Sequence, residues 1–422
     1  MKGFEFLLQS RKFGMKLGLE NMERLAAAFE NPEKKLKFIH LAGTNGKGST
    51  AAFCAQALQE SGYRTGLFTS PHLISITERI QIDGSSIPEE RLTTLLDEIA
   101  EITRLWEQPP TFFEIMTAAA LRYFEEEKVE WVVWETGMGG RLDSTNIVTP
   151  AVTILTQVGF DHQEYLGESL AKIAAEKGGI IKKNIPTVCG VREPEALAVI
   201  RKIAEKQDST LIETEDLQVI DHGIKGKKQH IEIEGIPFQL SLLGDHQIQN
   251  ALTAFTALFA VLKIPVKSIQ RGFSKTQWNG RFQILRENPP LVVDGAHNPS
   301  SMSTLIETWK KVYAETKPTV VFAVLADKSY CEMIPSIESI ADRVILVKVN
   351  NPRAVDPFAI QDLFTYAPIE TAPNLTTIWS SLIDSKNPIL ITGSLFLVGE
   401  ALHLYHPTAA PPYTQLNEIL KP

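Results

Sequence analysis

Gly43-Thr44-Asn45-Gly46-Lys47-Gly48-Ser49-Thr50 sits between an apolar run, residues 36–42, and a helix-prone stretch, residues 51–58. Strand, glycine-rich turn and helix, in that order, form the setting a phosphate-cradling loop requires. Glycines at 43, 46 and 48 let backbone N–H groups approach phosphate oxygens, and the N-terminus of the helix adds partial positive charge. Lys47 has the reach for terminal phosphates, and Ser49 or Thr50 can offer a hydroxyl to a phosphate-bound Mg²⁺. A strict Walker pattern would have Gly at 41 and Ser or Thr at 48, where this chain has Leu41 and Gly48. The stretch therefore reads as a variant P-loop. An isolated glycine pair would suit an ordinary turn, but Lys47, the hydroxyls and the preceding strand together favour nucleotide binding.

Outward from the loop the chain repeats a βα rhythm. Apolar strands are expected at 65–69, 131–134, 151–156 and 186–190, with helices at 88–105, 112–127, 169–177 and 193–206. Trp131-Val132-Val133-Trp134 is apolar without alternation, as suits a parallel strand covered on both faces, and it delivers Glu135 to the strand's C-terminal end. Residues 78–82 alternate like an exposed strand. From 211 to 243 the period shifts to two, which predicts a small antiparallel flap, followed by helices at 246–262 and 266–276. After Trp278-Asn279-Gly280-Arg281 the βα alternation restarts: strands at 291–293, 319–324, 344–347 and 389–391, helices at 301–313, 330–340, 357–364 and 395–404. The fold class expected is α/β: a P-loop-containing doubly wound parallel sheet with a small flap over residues 1–282, and a smaller C-terminal domain over 283–422. Residues 407–413 read as a Pro-rich tail.

The 422 residues are 44% hydrophobic and 22% charged, ordinary for a globular chain of two or three domains. A net charge of −8 argues against a large nucleic-acid footprint. Cys54, Cys189 and Cys331 are odd in number and far apart, which suits buried free thiols rather than a disulfide framework or a zinc site. No signal-type core and no run of about 18 apolar residues is present, so the expectation is a cytoplasmic protein without a membrane span.

Lys47, Ser70, Glu135 and His162 lie in four loops at the C-terminal ends of expected strands, where open α/β sheets bind ligands. Each alone has an ordinary structural reading: a solvated acid, a capping hydroxyl, a hydrogen-bonded imidazole. Their shared address beside a P-loop suits Mg²⁺ held by phosphate oxygens and one carboxylate, for phosphoryl transfer. In the second domain Asp294-Gly295-Ala296-His297-Asn298-Pro299 is the matching strand end. Asn298 before Pro299 is explained as a helix cap, whereas Asp294 suits a ribose ligand. Arg281 can neutralise a transferring phosphoryl group or make an interdomain ion pair.

Residues 43–50, Thr69-Ser70-Pro71-His72-Leu73, residues 135–143, Asp161-His162, His246-Gln247 with Asn250-Ala251, and residues 294–299 together resemble the folylpolyglutamate synthase and dihydrofolate synthase family of the Mur ligase superfamily. The similarity runs in the family's order from about Gly18 to Glu400. It implies an ATP-binding domain and a Rossmann-like domain closing over a cleft. It further implies Gly43, Thr44, Asn45, Gly46, Lys47, Gly48, Ser49 and Thr50 around ATP, with Asn250, Arg281 and Asp294 as further nucleotide contacts. Ser70 and Glu135 would hold one Mg²⁺ and His162 would help hold a second. Lys177 matches a lysine carried as a carbamate, and His297 lies where phosphate or incoming L-glutamate is handled. The implied catalytic set is Lys47, His162, Lys177 and His297, and the implied metal set is Ser70, Glu135, His162 and Lys177. The implied reaction is ATP phosphorylation of a carboxylate on folate or dihydropteroate, then attack by the amino group of L-glutamate; the partners expected are these small molecules, with no nucleic acid or membrane, and the chain is expected to act as a monomer. Two readings compete: a Mur-type ligase of a UDP-linked precursor, for which the first forty residues leave no room for a UDP-binding domain, and a nucleotide-regulated binding protein, which has no use for Glu135, His162 and Lys177 together.

Overall fold

The structure, a computed structural model, describes residues 2–14 and 18–407. Its first sheet contains β1 (Lys37–Ala42), β2 (Thr65–Phe68), β3 (Ile80–Ile82), β4 (Ser85–Ser86), β5 (Trp131–Glu135), β6 (Val152–Leu155), β7 (Thr187–Cys189) and β8 (Leu211–Glu213). They lie in the order β4-β3-β2-β5-β1-β6-β7-β8. From β2 to β8 neighbours are parallel, and β3 and β4 add an antiparallel edge. β1 lies between β5 and β6, with Leu41 beside both Glu135 and Ile154. That register brings the ends of three strands to one spot.

The apolar runs of β1 and β5 are buried on both faces. Phe38, Val132 and Trp134 face one core, while Ile39, Leu41 and Val133 face the other. Side chains alternate across a strand, so a run without polar residues is what two covered faces demand. The P-loop helix, Lys47–Gln59, packs against the helix Val266–Lys275, where a Cβ on Gly272 would come within 2.6 Å of the Ala57 Cα.

A second, three-stranded antiparallel sheet follows: β9 (Val219–Lys225), β10 (Lys228–Ile233) and β11 (Ile236–Leu240). The C-terminal sheet has the order β12-β13-β17-β14-β15-β16, formed by β12 (Gln283–Glu287), β13 (Pro290–Val293), β14 (Thr319–Phe322), β15 (Arg343–Val347), β16 (Ile369–Ala372) and β17 (Ile389–Thr392). β12 and β13 form an antiparallel hairpin and the others run parallel, with a core on each face.

Several expectations need correction. Residues 78–82 are not one exposed strand: Glu78 accepts the N–H groups of Leu73, Ile74 and Ser75, which winds Ile76–Arg79 into a 3₁₀ turn and buries Arg79. The stretch from 211 is not all flap, because β8 pairs in parallel with β7. The helix expected over 246–262 is α-helical over Asp245–Phe255 and then widens into a π turn, with the Leu262 N–H on the Ala257 carbonyl. β12, β16 and the helices Lys2–Ser10 and Leu375–Ile383 were not foreseen. Short or partly exposed segments carry too few apolar residues to show a period. All but the first residue of the expected tail, 407–413, lies outside the described residues.

Candidate active site

The ends of β1, β2, β5 and β6 open into a cleft of about 400 Å³ that the C-terminal domain closes from the other side. Its N-terminal wall carries Lys47, Ser70, Glu135 and His162, its C-terminal wall carries Asp294 and His297, and Arg281 stands where the two walls join. These residues come from separate loops and meet in one place.

The loop after β1 is built to stay open. Gly46 has φ +87°, and a Cβ there would lie 2.3 Å from Asn250 Oδ1. A Cβ on Gly43 would overlap the Thr156 hydroxyl at 1.8 Å. Gly48 approaches the Trp278 indole, 2.8 Å from such a Cβ. Asn250 donates to Gln247 at 3.0 Å, and Gln247 donates to Ser49 Oγ at 3.2 Å, so the helix Asp245–Phe255 braces the loop. Ser49 fronts the cleft, whereas the Thr50 side chain turns into the core with its hydroxyl unpartnered. Of the two hydroxyls expected near a phosphate-bound ion, only Ser49 is placed to offer one; the backbone of Thr50 stays in the helix, donating to Gly46.

Lys47 Nζ folds back on its own loop, donating to the carbonyls of Gly43 at 3.0 Å and Thr44 at 3.4 Å, with Glu135 Oε1 4.0 Å away. Glu135 is 3% exposed and its Oε2 accepts the Ser70 N–H at 3.1 Å. Burial raises the Glu135 carboxyl above its ordinary range, with Lys47, Ser70 and Arg281 pulling the other way. A cation beside it would favour the ionised form.

Lys177 lies behind the loop, not on the cleft surface, and donates to the Gly43 carbonyl at 2.9 Å. It is 4% exposed, and burial, helped by Lys47, lowers its ammonium to about 7. Gly140 lets residues 136–143 approach this helix, since a Cβ there would meet the Glu176 and Lys177 carbonyls at 2.8 Å. Asp143 organises the same loop by accepting the N–H groups of Thr145 at 3.0 Å and Met138 at 2.8 Å.

His162 has φ +51° and sits 3.9 Å from Asp161. Burial lowers its imidazole, with Asp161 opposing. At Asp161 burial works against ionisation, but His162 and Lys328 outweigh it and hold the carboxyl below its ordinary range. Burial keeps the His162 ring largely neutral near pH 7, so Lys328 is the lasting counter-charge there. Lys328 follows β14 and reaches across the cleft to Asp161 at 3.1 Å. Asn298 makes a second crossing, donating to Asn45 Oδ1 at 3.4 Å.

Asp294 is 7% exposed, accepting the N–H of Phe282 at 2.7 Å and of Ala296 at 2.8 Å; burial raises its carboxyl, with Arg281 opposing. His297 Nδ1 pairs with the Gly295 carbonyl at 2.7 Å and burial lowers the ring to about 4. A carbonyl only accepts, so Nδ1 bears the proton and Nε2 is left as a base. Arg281 donates to Gly280 O at 3.0 Å and its charge reaches Glu135, Asp294 and His246.

Sequence reading missed Lys328 as a cleft residue, while Gln247 and His72 stood only within stretches that carry the resemblance, without a role of their own. Lys328 was open to the rule that located the others, since it follows a parallel strand at its C-terminal end. Among the described residues no three His, Cys, Asp or Glu side chains gather closely enough to chelate a metal by themselves.

The chain matches the Mur ligase middle domain over residues 41–258 and the glutamate ligase domain of Mur ligases over residues 280–395. Fold and cleft thus define a two-domain protein of the Mur ligase class. The dihydrofolate synthase/folylpolyglutamate synthase of Bacillus subtilis is 39% identical over 410 residues, covering 92% of this chain and 95% of that protein. The crystal structure of folylpolyglutamate synthase from Thermotoga maritima aligns with a TM-score of 0.87 at 31% identity, over 99% of both chains. That of the Mycobacterium tuberculosis folylpolyglutamate synthase complexed with ADP and AMPPCP aligns with a TM-score of 0.86 at 29% identity, over 96% of this chain and 99% of that one. The chain belongs to the folylpolyglutamate synthase/dihydrofolate synthase family.

Proposed function

We propose that this protein is an ATP-dependent ligase that joins L-glutamate to a folate, extending a polyglutamate tail, and to dihydropteroate. The observation that carries the reading is the convergence of Lys47, Ser70, Glu135 and His162 with Arg281, Asp294 and His297 on one cleft, with Lys177 directly behind it. The nucleotide complexes of the mycobacterial relative support ATP as the phosphoryl donor.

A carboxylate is a poor acceptor for an amine at neutral pH. In the first step a carboxylate oxygen of the folate-side substrate attacks the γ-phosphorus of ATP and ADP leaves. In the second the glutamate amine attacks the acyl carbon, and phosphate departs with the carboxylate oxygen. The amine must lose a proton, and His297 Nε2, neutral at pH 7, is the group assigned to take it. Lys47 and Arg281 offset the charge on the phosphoryl oxygens, the P-loop N–H groups bind them, and Asn250 and Asp294 contact the nucleoside.

The donor set suits Mg²⁺. Glu135 Oε1 has Lys47 no nearer than 4.0 Å, and a few oxygen and nitrogen donors on separate loops, the Glu135 carboxylate, the Ser70 hydroxyl and the His162 imidazole, fit ions that keep phosphate oxygens and waters as their other ligands. Two such ions, one at Ser70 and Glu135 and one at His162, would neutralise charge on the transferring group. Lys177, with its lowered ammonium, is suited to capture CO₂ as a carbamate, which would add its oxygens to the donors for the second ion. The two domains divide at residues 282/283, and the protein acts as a cytoplasmic monomer. No helix among the described residues is long and apolar enough to cross a membrane.

The test is isotopic. Folate-side substrate labelled with oxygen-18 in its carboxylate should yield phosphate carrying one labelled oxygen per amide formed. Amide formation with unlabelled phosphate would rule out the acyl phosphate, and no amide at all would reject the ligase.

A further inference from the structure

His72, two residues beyond Ser70, fronts the cleft and is 2% exposed. Its Nδ1 receives a hydrogen bond from Arg79 Nε at 3.0 Å. A guanidinium cannot accept, so Nδ1 carries the lone pair and the ring proton lies on Nε2. That Nε2–H is buried and meets no acceptor among the described residues. Buried donors are almost always satisfied, and for a ring that lines the substrate cleft an acceptor on the substrate is the partner left to supply.

The surroundings say which acceptor. The Phe112 ring fronts the same part of the cleft, with the Arg79 guanidinium 5.2 Å and the Arg11 guanidinium 5.9 Å from its centroid. An aromatic surface flanked by two permanent cations and a neutral donor fits a carboxylate attached near an arene. The Ser70 N–H marks the reaction end, because it is held on Glu135. His72 lies at most about 7 Å further along the chain, the reach of two extended residues. On a folylglutamate the α-carboxylate stands two methylenes and one carbon back from the reacting γ-carboxyl. On dihydropteroate that place is occupied by the benzoyl ring, which has no acceptor.

We propose that the His72 Nε2–H recognises the α-carboxylate of a folylglutamate acceptor and so separates tail extension from addition of the first glutamate. This rests on the ligase reading above. Arg79 is the positioning residue, since its hydrogen bond fixes the tautomer that presents the donor.

The test pairs two acceptors, tetrahydrofolate and its α-carboxamide, with three proteins: wild type, His72→Asn and His72→Gln. Asn keeps an acceptor oxygen where Nδ1 receives Arg79 but has no donor at the Nε2 position, whereas the longer Gln restores a donor there. Wild type should prefer the acid over the carboxamide by about tenfold or more in kcat/KM, the scale of one buried hydrogen bond to a charged group. His72→Asn should reduce that preference to within about twofold by losing activity on the acid, and His72→Gln should recover part of it. An unaltered preference in His72→Asn overturns the proposal. So does an equal loss on both acceptors, which would mean that the donor meets another part of the molecule. Equal use of both acceptors by wild type overturns it without any variant. No ligation of tetrahydrofolate by wild type would instead reject the polyglutamate-extending reading, and this inference with it.

Discussion

At the scale of single residues, the site depends on charged groups held where water is scarce. Glu135 is buried at the end of β5 with one oxygen turned to Lys47, so it can act only through a cation brought by the substrate. Glu135→Ala and Glu135→Gln should each lower kcat at least a hundredfold, on the order of the loss of a group that acts in the transition state. Lys177 makes a separate prediction. Only the neutral amine reacts with CO₂, and the neutral fraction grows as pH rises through about 7. Enzyme depleted of CO₂ should therefore regain activity faster at about pH 8 than at about pH 6 when dissolved CO₂ is held equal. Recovery that does not depend on pH would contradict the role given to this amine. Glu135 and His162 were legible in the sequence because each follows an apolar strand. Lys328 followed the same rule and was passed over, since a lysine in a short polar turn has a solvated face as its ordinary reading. His72 stood in the sequence only as part of Thr69-Ser70-Pro71-His72-Leu73, and its role could not be read there, because that role comes from Arg79 occupying Nδ1 and no periodicity encodes it.

Among the elements, the loop after β1 carries the argument. Gly46 combines a left-handed backbone with the Asn250 side chain at 2.3 Å from any Cβ. Gly46→Ala should cost about 1–2 kcal/mol of stability in urea titrations and weaken ATP binding more than tenfold, because the brace formed by Asn250 and Gln247 would be pushed off the loop. β1 also hides a titrating group. His40 is fully buried, with Nε2 paired to Thr145 Oγ1 at 3.0 Å, and burial lowers its ring from 6.5 to about 3. Between those values the unfolded chain binds a proton that the folded chain refuses, so stability falls as pH drops from 6.5 toward 3, by about 5 kcal/mol when complete. His40→Leu removes that proton uptake, and its urea midpoint relative to wild type should improve as pH is lowered from about 7 to about 4. A constant offset would show that His40 already titrates normally in the fold. Strands such as β1, β5 and β6 were readable as apolar runs because both faces are covered. β12 and β16 were not, since their partly exposed residues mix polar and apolar side chains without a clean period.

For the whole molecule, the account requires two walls that meet over the substrate. Lys328 on Asp161 and Asn298 on Asn45 are side-chain crossings from the C-terminal wall to the N-terminal one. The first is the closer, at 3.1 Å against 3.4 Å, and it joins charges that are mostly shielded from water. Lys328→Met should lower kcat at least tenfold, because truncating a shielded ion pair leaves Asp161 unbalanced next to His162. Small-angle scattering in the presence of ATP and folate should then give a more extended particle than wild type. The βα restart after residue 281 made the second domain legible, but the contacts between the walls join residues more than 160 positions apart and leave no local signal. The central claim is that this cleft makes an amide from a carboxylate and L-glutamate at the expense of ATP. The most direct measurement supplies ATP, Mg²⁺ and L-glutamate with tetrahydrofolate in one tube and dihydropteroate in another, following ADP and product mass. The account predicts one ADP for each product heavier by a glutamyl residue, in both tubes. ATP bound without any such product in either tube would contradict it.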